Sequence, residues 1–248
     1  MPRFLLLLLL SLTPACRATA PTVSPPVAGT PRPSSVQEPF HSSKAVRWVR
    51  DSAEHRALFL QVFRAATARV EQAAVGRAPG TWAVVSDADE TLIDNSLYQV
   101  ERERQGLAFT PESWRTWTER REAVPLPGAR DFLGRVRALG GRVAIVTNRR
   151  EAECPDTEAV FAAHDLAYDV MLCRPDDGPS DKASRFEAVA RGTTSAGLPP
   201  LEVIIFVGDN IRDFPALGLA VRSRGEEAFG DFGDRFFVVP NPMYGGWE

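Results

Sequence analysis

Histidine and cysteine are scarce in this chain, three of each in 248 residues. The histidines, His41, His55 and His164, are scattered without ligand spacing, which leaves a His/Cys metal site unsupported. No cysteine shares a recognisable motif with a histidine, so thiol nucleophile chemistry has no base to draw on. Positive charge is also short. Lys and Arg number 29 against 32 Asp and Glu, a formal net charge of −3. Without a basic run there is no electrostatic footing for a nucleic acid polymer as partner. Internal repeats are absent, and the apolar run from Phe4 to Leu10 is too short to span a bilayer as a stable helix.

What is present reads as an ordinary globular composition, 44% hydrophobic and 25% charged, long enough for one large domain or two small ones. The amino terminus stands apart. Arg3, the apolar run and the small residues up to Ala15 make a secretory signal over residues 1–16. Ala15-Cys16 resembles the cleavage site of bacterial lipoproteins, which implies lipidation of Cys16 and membrane attachment through a lipid anchor. An ordinary signal peptide that contains a cysteine is the other reading. Residues 17–40 are rich in Pro, Ser, Thr, Ala and Val without a pattern, an extended tether. Residues 41–248 then carry the folded domain.

Within that domain, Thr81 to Val85 is a short apolar run after Pro79-Gly80, which predicts a buried strand. It ends in Asp87-Ala88-Asp89-Glu90-Thr91. A strand of an open α/β sheet delivers reactive groups at its carboxyl end. Two carboxylates two residues apart repel, so a cation between them is expected; a solvated acidic turn is the plainer alternative. A second apolar strand, Arg142 to Val146, ends in Thr147-Asn148-Arg149. A third, Leu201 to Val207, ends in Gly208-Asp209-Asn210-Ile211-Arg212-Asp213, and Lys182 falls between them at a helix start.

Asp-x-Asp-x-Thr, strand-Thr, Lys and Gly-Asp-x-x-x-Asp in this order resemble the four motifs of the haloacid dehalogenase (HAD) superfamily. The stretches Asp87 to Tyr98, Val146 to Arg149 and Asn241 to Glu248 look more narrowly like the class C acid phosphatases, secreted or lipid-anchored bacterial phosphomonoesterases. Ala88 stands where the family usually carries Leu, Ile or Met, and Ser86 replaces an apolar residue before the first Asp. The resemblance runs from about Trp48 to the end. It implies a HAD-like Rossmannoid parallel sheet with helices on both faces, and a small α-helical lobe capping the site. Alternating strands and helices independently indicate a parallel α/β sheet. The lobe is expected over about 42–78 and 96–124, and the core over about 80–95 and 125–248.

Smaller expectations follow from local pattern. Ser42 or Ser43 caps one long helix running to about Gly76. Thr110-Pro111 opens another. Trp114 and Trp117 read as packing residues of the lobe, whereas Tyr98 and Tyr244, inside family-like motifs, are expected to line the pocket. If Cys16 is lipidated, Cys154 and Cys173 remain as an even pair that permits a disulfide in an oxidising compartment.

The resemblance implies roles residue by residue. Asp87 is the nucleophile and Asp89 the general acid and base. Thr147 and Lys182 bind and neutralise the phosphoryl group, with Asn148 and Arg149 bordering it. Asp87, Asp89 (through its carbonyl), Asp209 and Asp213 hold Mg²⁺. The expected activity is hydrolysis of small phosphomonoesters, nucleoside 5′-monophosphates among them, outside the cytoplasm, in the outer membrane or cell envelope. Two alternatives stay open: a surface binding lipoprotein on an inactive phosphatase scaffold, and a phosphotransferase. The oligomeric state is not readable.

Overall fold

The computed structural model describes residues 40–247. The signal, Cys16 and nearly all of the tether lie outside the described residues. In chain order the elements are α1 (Lys44–Asp51), α2 (Ala53–Ala74), β1 (Trp82–Ser86), β2 (Ile93–Asp94), α3 (Ser96–Gln105), α4 (Pro111–Arg120) and β3 (Val124–Pro125). Then come α5 (Ala129–Ala138), β4 (Arg142–Arg150), α6 (Cys154–Ala163), β5 (Val170–Arg174), α7 (Ala183–Arg191), β6 (Glu202–Gly208) and β7 (Phe236–Val238).

The main sheet is parallel throughout, in the order β5-β4-β1-β6-β7. All five residues of β1 are buried, as a strand covered on both faces must be. Its side chains alternate between two cores. Trp82 and Val84 pack with Phe59, Phe63 and Phe132 from α2 and α5, while Ala83 and Val85 pack with Phe186 of α7 and with Phe206 and Phe214. Strand order reverses at β1, since β4 lies on one side and β6 on the other. An open α/β sheet has its crevice at that point, beyond the carboxyl ends of the strands.

Two expectations about the helices are corrected. The single long helix is two, because Ser52 adopts an extended conformation (φ −85°, ψ 142°) and caps α2 by accepting from the His55 N–H. Its hydroxyl also donates to the Trp48 carbonyl at 2.6 Å, closing α1. One serine thus satisfies groups at two helix ends. Second, α2 belongs to the core rather than the lobe. Its Phe59, Phe63, Ala66 and Val70 are buried in the cluster that covers the sheet. The lobe is built from α3 and α4, with α1 tied to α3 by the Arg50 Nη1 bond to Ser96 Oγ at 2.9 Å. The antiparallel pair β2–β3 matches Ile93 with Pro125 and Asp94 with Val124, which pinches the lobe segment at its base.

Cys154, at the start of α6, is disulfide-bonded to Cys173 near the end of β5, with Cα atoms 6.2 Å apart. The bond ties the exit of β4 to the neighbouring strand.

Candidate active site

The carboxyl ends of β1, β4 and β6 meet at one cleft of 690 Å³. Asp87 extends the β1 pairing by one step, its N–H donating to the Val207 carbonyl at 3.0 Å. The chain then turns sharply. The Ala88 carbonyl accepts from the Leu92 and Ile93 N–H groups, and Glu90 takes a left-handed conformation (φ 52°). That turn swings Thr91 toward β6, where its hydroxyl donates to Asp209 Oδ1 at 3.3 Å.

Asp209 follows β6 directly. Asn241 Nδ2 donates to its Oδ2 at 2.8 Å, so the carboxylate is held from two sides. Asn210 then starts a short 3₁₀ turn over Ile211–Asp213, with its side chain accepting from the Arg212 N–H. Asp213 answers by accepting from the Asn210 N–H at 2.9 Å, which aims its other oxygen at the centre. Gly208 is required by this turn: a Cβ there would overlap the Asp213 carboxylate.

Lys182, immediately before α7, is 3% exposed. Its Nζ donates to Asp87 Oδ1 at 2.5 Å and to Asp213 Oδ1 at 2.7 Å. Asp87, Asp209 and Asp213 present oxygens within 4.8 Å of one another. Burial, then Asp213 and Asp87, pushes the Asp209 carboxyl well above the carboxylate range. Burial pushes Asp87 up to about 7, with Lys182 opposing and Asp213 and Asp89 adding. The Lys182 ammonium is lowered by burial, but Asp213 and Asp87 more than offset this and the net shift is upward. Three carboxyl groups gathered round one ammonium give a set of oxygen donors that fits a hard divalent cation, which would take the place of the retained protons.

That charge balance has a measurable pH signature. A raised Asp87 carboxyl means that the metal-free folded state keeps a proton the unfolded chain has released, between about pH 4 and 7. This contribution to stability is full below the window and is lost as pH rises through it. A cation must displace the same proton, so it binds better above the window. The thermal midpoint is expected to gain little from Mg²⁺ near pH 5 and several degrees near pH 7.5, measured against EDTA. A gain that is larger at pH 5 would contradict the balance described.

The other expected residues divide. Asn148, Arg149 and Tyr244 line the cleft with Asp87, Asp89 and Lys182. Thr147 is fully buried and does not line it; its hydroxyl accepts from the Arg149 N–H at 3.2 Å. Tyr98 is corrected. It is 2% exposed, packs edge-on against Trp114 and shares a hydrogen bond with Ser113 Oγ at 2.8 Å, so it forms the lobe's core. Trp114 packs against that core as expected, and it also lines the cleft together with Phe109. Trp117 packs inside the lobe as expected.

Three residues were given no role by sequence reasoning. Asn241 holds Asp209, and Asn95 holds the Asp89 carboxylate, Nδ2 to Oδ1 at 2.8 Å. Arg185, one turn into α7, donates to the Thr147 carbonyl and to Asn148 Oδ1 at 2.7 Å. The two asparagines stood inside the quoted motifs; Arg185 carried no local signal.

The sequence model of the family described as HAD superfamily, subfamily IIIB (Acid phosphatase), matches residues 32–247. The chain is 26% identical to the class C acid phosphatase from Bacillus anthracis, covering 82% of this chain and 84% of that one, with a TM-score of 0.72. The structure of that phosphatase with tungstate bound matches with the same identity, coverage and score. With four-fifths and more of the chain accounted for, and the motif residues gathered at the switch point of the sheet, the chain belongs to subfamily IIIB of the HAD superfamily and is an acid phosphatase, a phosphomonoester hydrolase.

Proposed function

We propose that the chain hydrolyses small phosphomonoesters through an aspartyl-phosphate on Asp87, with nucleoside 5′-monophosphates among its substrates. One observation carries this reading: Asp87 stands at the end of the central strand, bonded to Lys182 and facing a cleft that is aromatic at its rim. An anionic electrophile with a poor leaving group needs positioning and charge neutralisation above all. In the first step an Asp87 oxygen forms a bond to phosphorus as the bond to the leaving oxygen breaks. The leaving oxygen keeps the electron pair and takes a proton from Asp89. In the second step Asp89 removes a proton from water, the water oxygen bonds to phosphorus, and Asp87 departs as a carboxylate. Phosphate is released and both residues return to their first state.

Lys182 supplies positive charge beside Asp87. Asn148 is held at the cleft by Arg185 and is available to a phosphoryl oxygen. Asp87, Asp209, Asp213 and the Asp89 carbonyl would hold Mg²⁺, which would supply further neutralisation of phosphoryl charge. Tungstate in the Bacillus anthracis relative is a tetrahedral oxyanion like phosphate. Phe109, Trp114 and Tyr244 offer ring faces to a nucleobase or aryl leaving group. The activity belongs outside the cytoplasm, tethered through Cys16, and cell fractionation checks that placement.

The direct test is phosphate release by the purified full chain, from an aryl phosphate and from several nucleoside monophosphates, with Mg²⁺ or with EDTA. Release is expected from both classes and is expected to fall at least about a hundredfold in EDTA. Undiminished release in EDTA would remove the metal from the reading, and aryl-only release would remove the nucleotides.

A further inference from the structure

Arg149 lines the cleft, yet its side chain is 1% exposed and most of its donors are already committed. Nε donates to both oxygens of Asp89, at 3.0 Å to Oδ1 and 3.1 Å to Oδ2, and Nη2 donates to Oδ1 at 2.8 Å. Nη2 also reaches Asn95 Oδ1 at 3.1 Å, and Nη1 reaches Thr157 Oγ1 at 3.1 Å. Arg149 thus borders the cleft while its guanidinium is held mainly by protein acceptors.

Asn95 completes the clamp. Its Oδ1 accepts from Trp117 Nε1 at 2.9 Å as well as from Arg149. Indole and guanidinium nitrogens only donate, so they fix the amide orientation and leave Nδ2 for Asp89. The result is lopsided. Oδ1 of Asp89 takes bonds from Arg149 Nε, Arg149 Nη2 and Asn95 Nδ2, whereas Oδ2 takes one, the longest of the four.

We propose that Arg149 and Asn95 are positioning residues for Asp89, holding Oδ1 and leaving Oδ2 as the oxygen that passes the proton. The inference rests on the reading of Asp89 as general acid. As phosphorus bonds to Asp87, the leaving oxygen receives the electron pair of the broken bond and the proton from Oδ2. Asp89 is left as a carboxylate already bound by three charge-assisted or amide donors, which stabilise the charge as it forms. The clamp reaches into the lobe. Trp117 on α4 braces Asn95, and the Trp114 ring lies 5.5 Å from the Arg149 guanidinium while also lining the cleft.

Leaving-group dependence separates this role from a structural one. Nitrophenolate departs without protonation; an alkoxide does not. The full chain and its Asp89→Asn, Arg149→Lys and Asn95→Ala variants would be compared by kcat/KM on nitrophenyl phosphate and on glycerol phosphate. Asp89→Asn is expected to lose about a hundredfold more on glycerol phosphate than on nitrophenyl phosphate. Arg149→Lys keeps a charge but not the fork, and is expected to show the same bias at about tenfold, with Asn95→Ala alongside it. Equal losses on both substrates in both positioning variants, with Asp89→Asn biased, overturn the proposal alone. No bias in Asp89→Asn overturns it together with the acid assignment on which it rests. Asn95→Ala carries the test if Arg149→Lys fails to fold by circular dichroism.

Discussion

Asp87→Asn is expected to lower phosphate release from every substrate by about three orders of magnitude or more while leaving the fold intact. Removing a nucleophile costs on this scale even where binding and electrostatic stabilisation survive. An amide fits the same buried space, and its oxygen still accepts from Lys182 Nζ, so the 2.5 Å contact has a partner in the variant. What the amide lacks is the negative charge that, in the proposed mechanism, makes the oxygen nucleophilic toward phosphorus. It also lacks one of the three carboxylates that lie within 4.8 Å, so its affinity for a divalent cation is expected to fall too. Initial rates at saturating Mg²⁺ separate the losses, because added metal restores binding but not the nucleophile. Thermal unfolding by circular dichroism confirms the fold. A variant that keeps a tenth of the wild-type rate would remove Asp87 from the covalent role.

Lys182→Met is expected to be the most destabilising single substitution at the site, and its effect should depend on pH. Methionine fits the aliphatic stem but leaves Asp87, Asp213 and Asp209 facing one another in a buried space without an internal cation. Removing one partner of a buried ion pair costs about 3–5 kcal/mol, because the remaining charge is uncompensated. For a domain of this size that is on the order of 10 °C in thermal midpoint. Asp87 and Asp209 already have raised carboxyls with Lys182 in place, and its loss raises them further. The variant is therefore expected to be close to wild type near pH 4, where the carboxyls are protonated, and to fall behind as pH rises toward 8. Mg²⁺ should recover part of the stability and little of the activity. A wild-type midpoint at pH 8 in EDTA would show that the ammonium does not hold the cluster together.

The parts of the fold that could be read from the sequence were those decided by short-range pattern. β1 is an uninterrupted apolar run because both of its faces are covered, and its end marks where the chemistry starts. The same holds for β4 and β6 and for the residues just past them. Lys182 was harder, because nothing within ten residues shows that its stem crosses a buried space to meet Asp87, 95 positions away. Ser52 misled for a local reason. A lone serine is tolerated within a helix, and only its two capping bonds show that the chain breaks there. Tyr98 was placed on the wrong side because it sits on a ten-residue helix, where a small rotation about the axis decides whether a side chain meets the core or the cleft. Arg149 stood in the right motif with one partner out of sight. Side-chain type shows that a guanidinium can bind an anion, and only the fold shows that Asp89 is the anion it binds.

The central position of β1 has a consequence for the order of events during synthesis. Its neighbours come from far along the chain: Ala83 pairs with Arg142 on one side and Trp82 with Glu202 on the other. Parallel pairings of such separation form slowly and late. Asp87 is made early, but it cannot meet Asp209 until β6 has been synthesised, and Asp209 is not held from both sides until Asn241 follows. A nascent or truncated chain therefore carries the motif without the catalyst. Activity in this protein is a report on the whole domain, and the enzyme is switched on by its own completion.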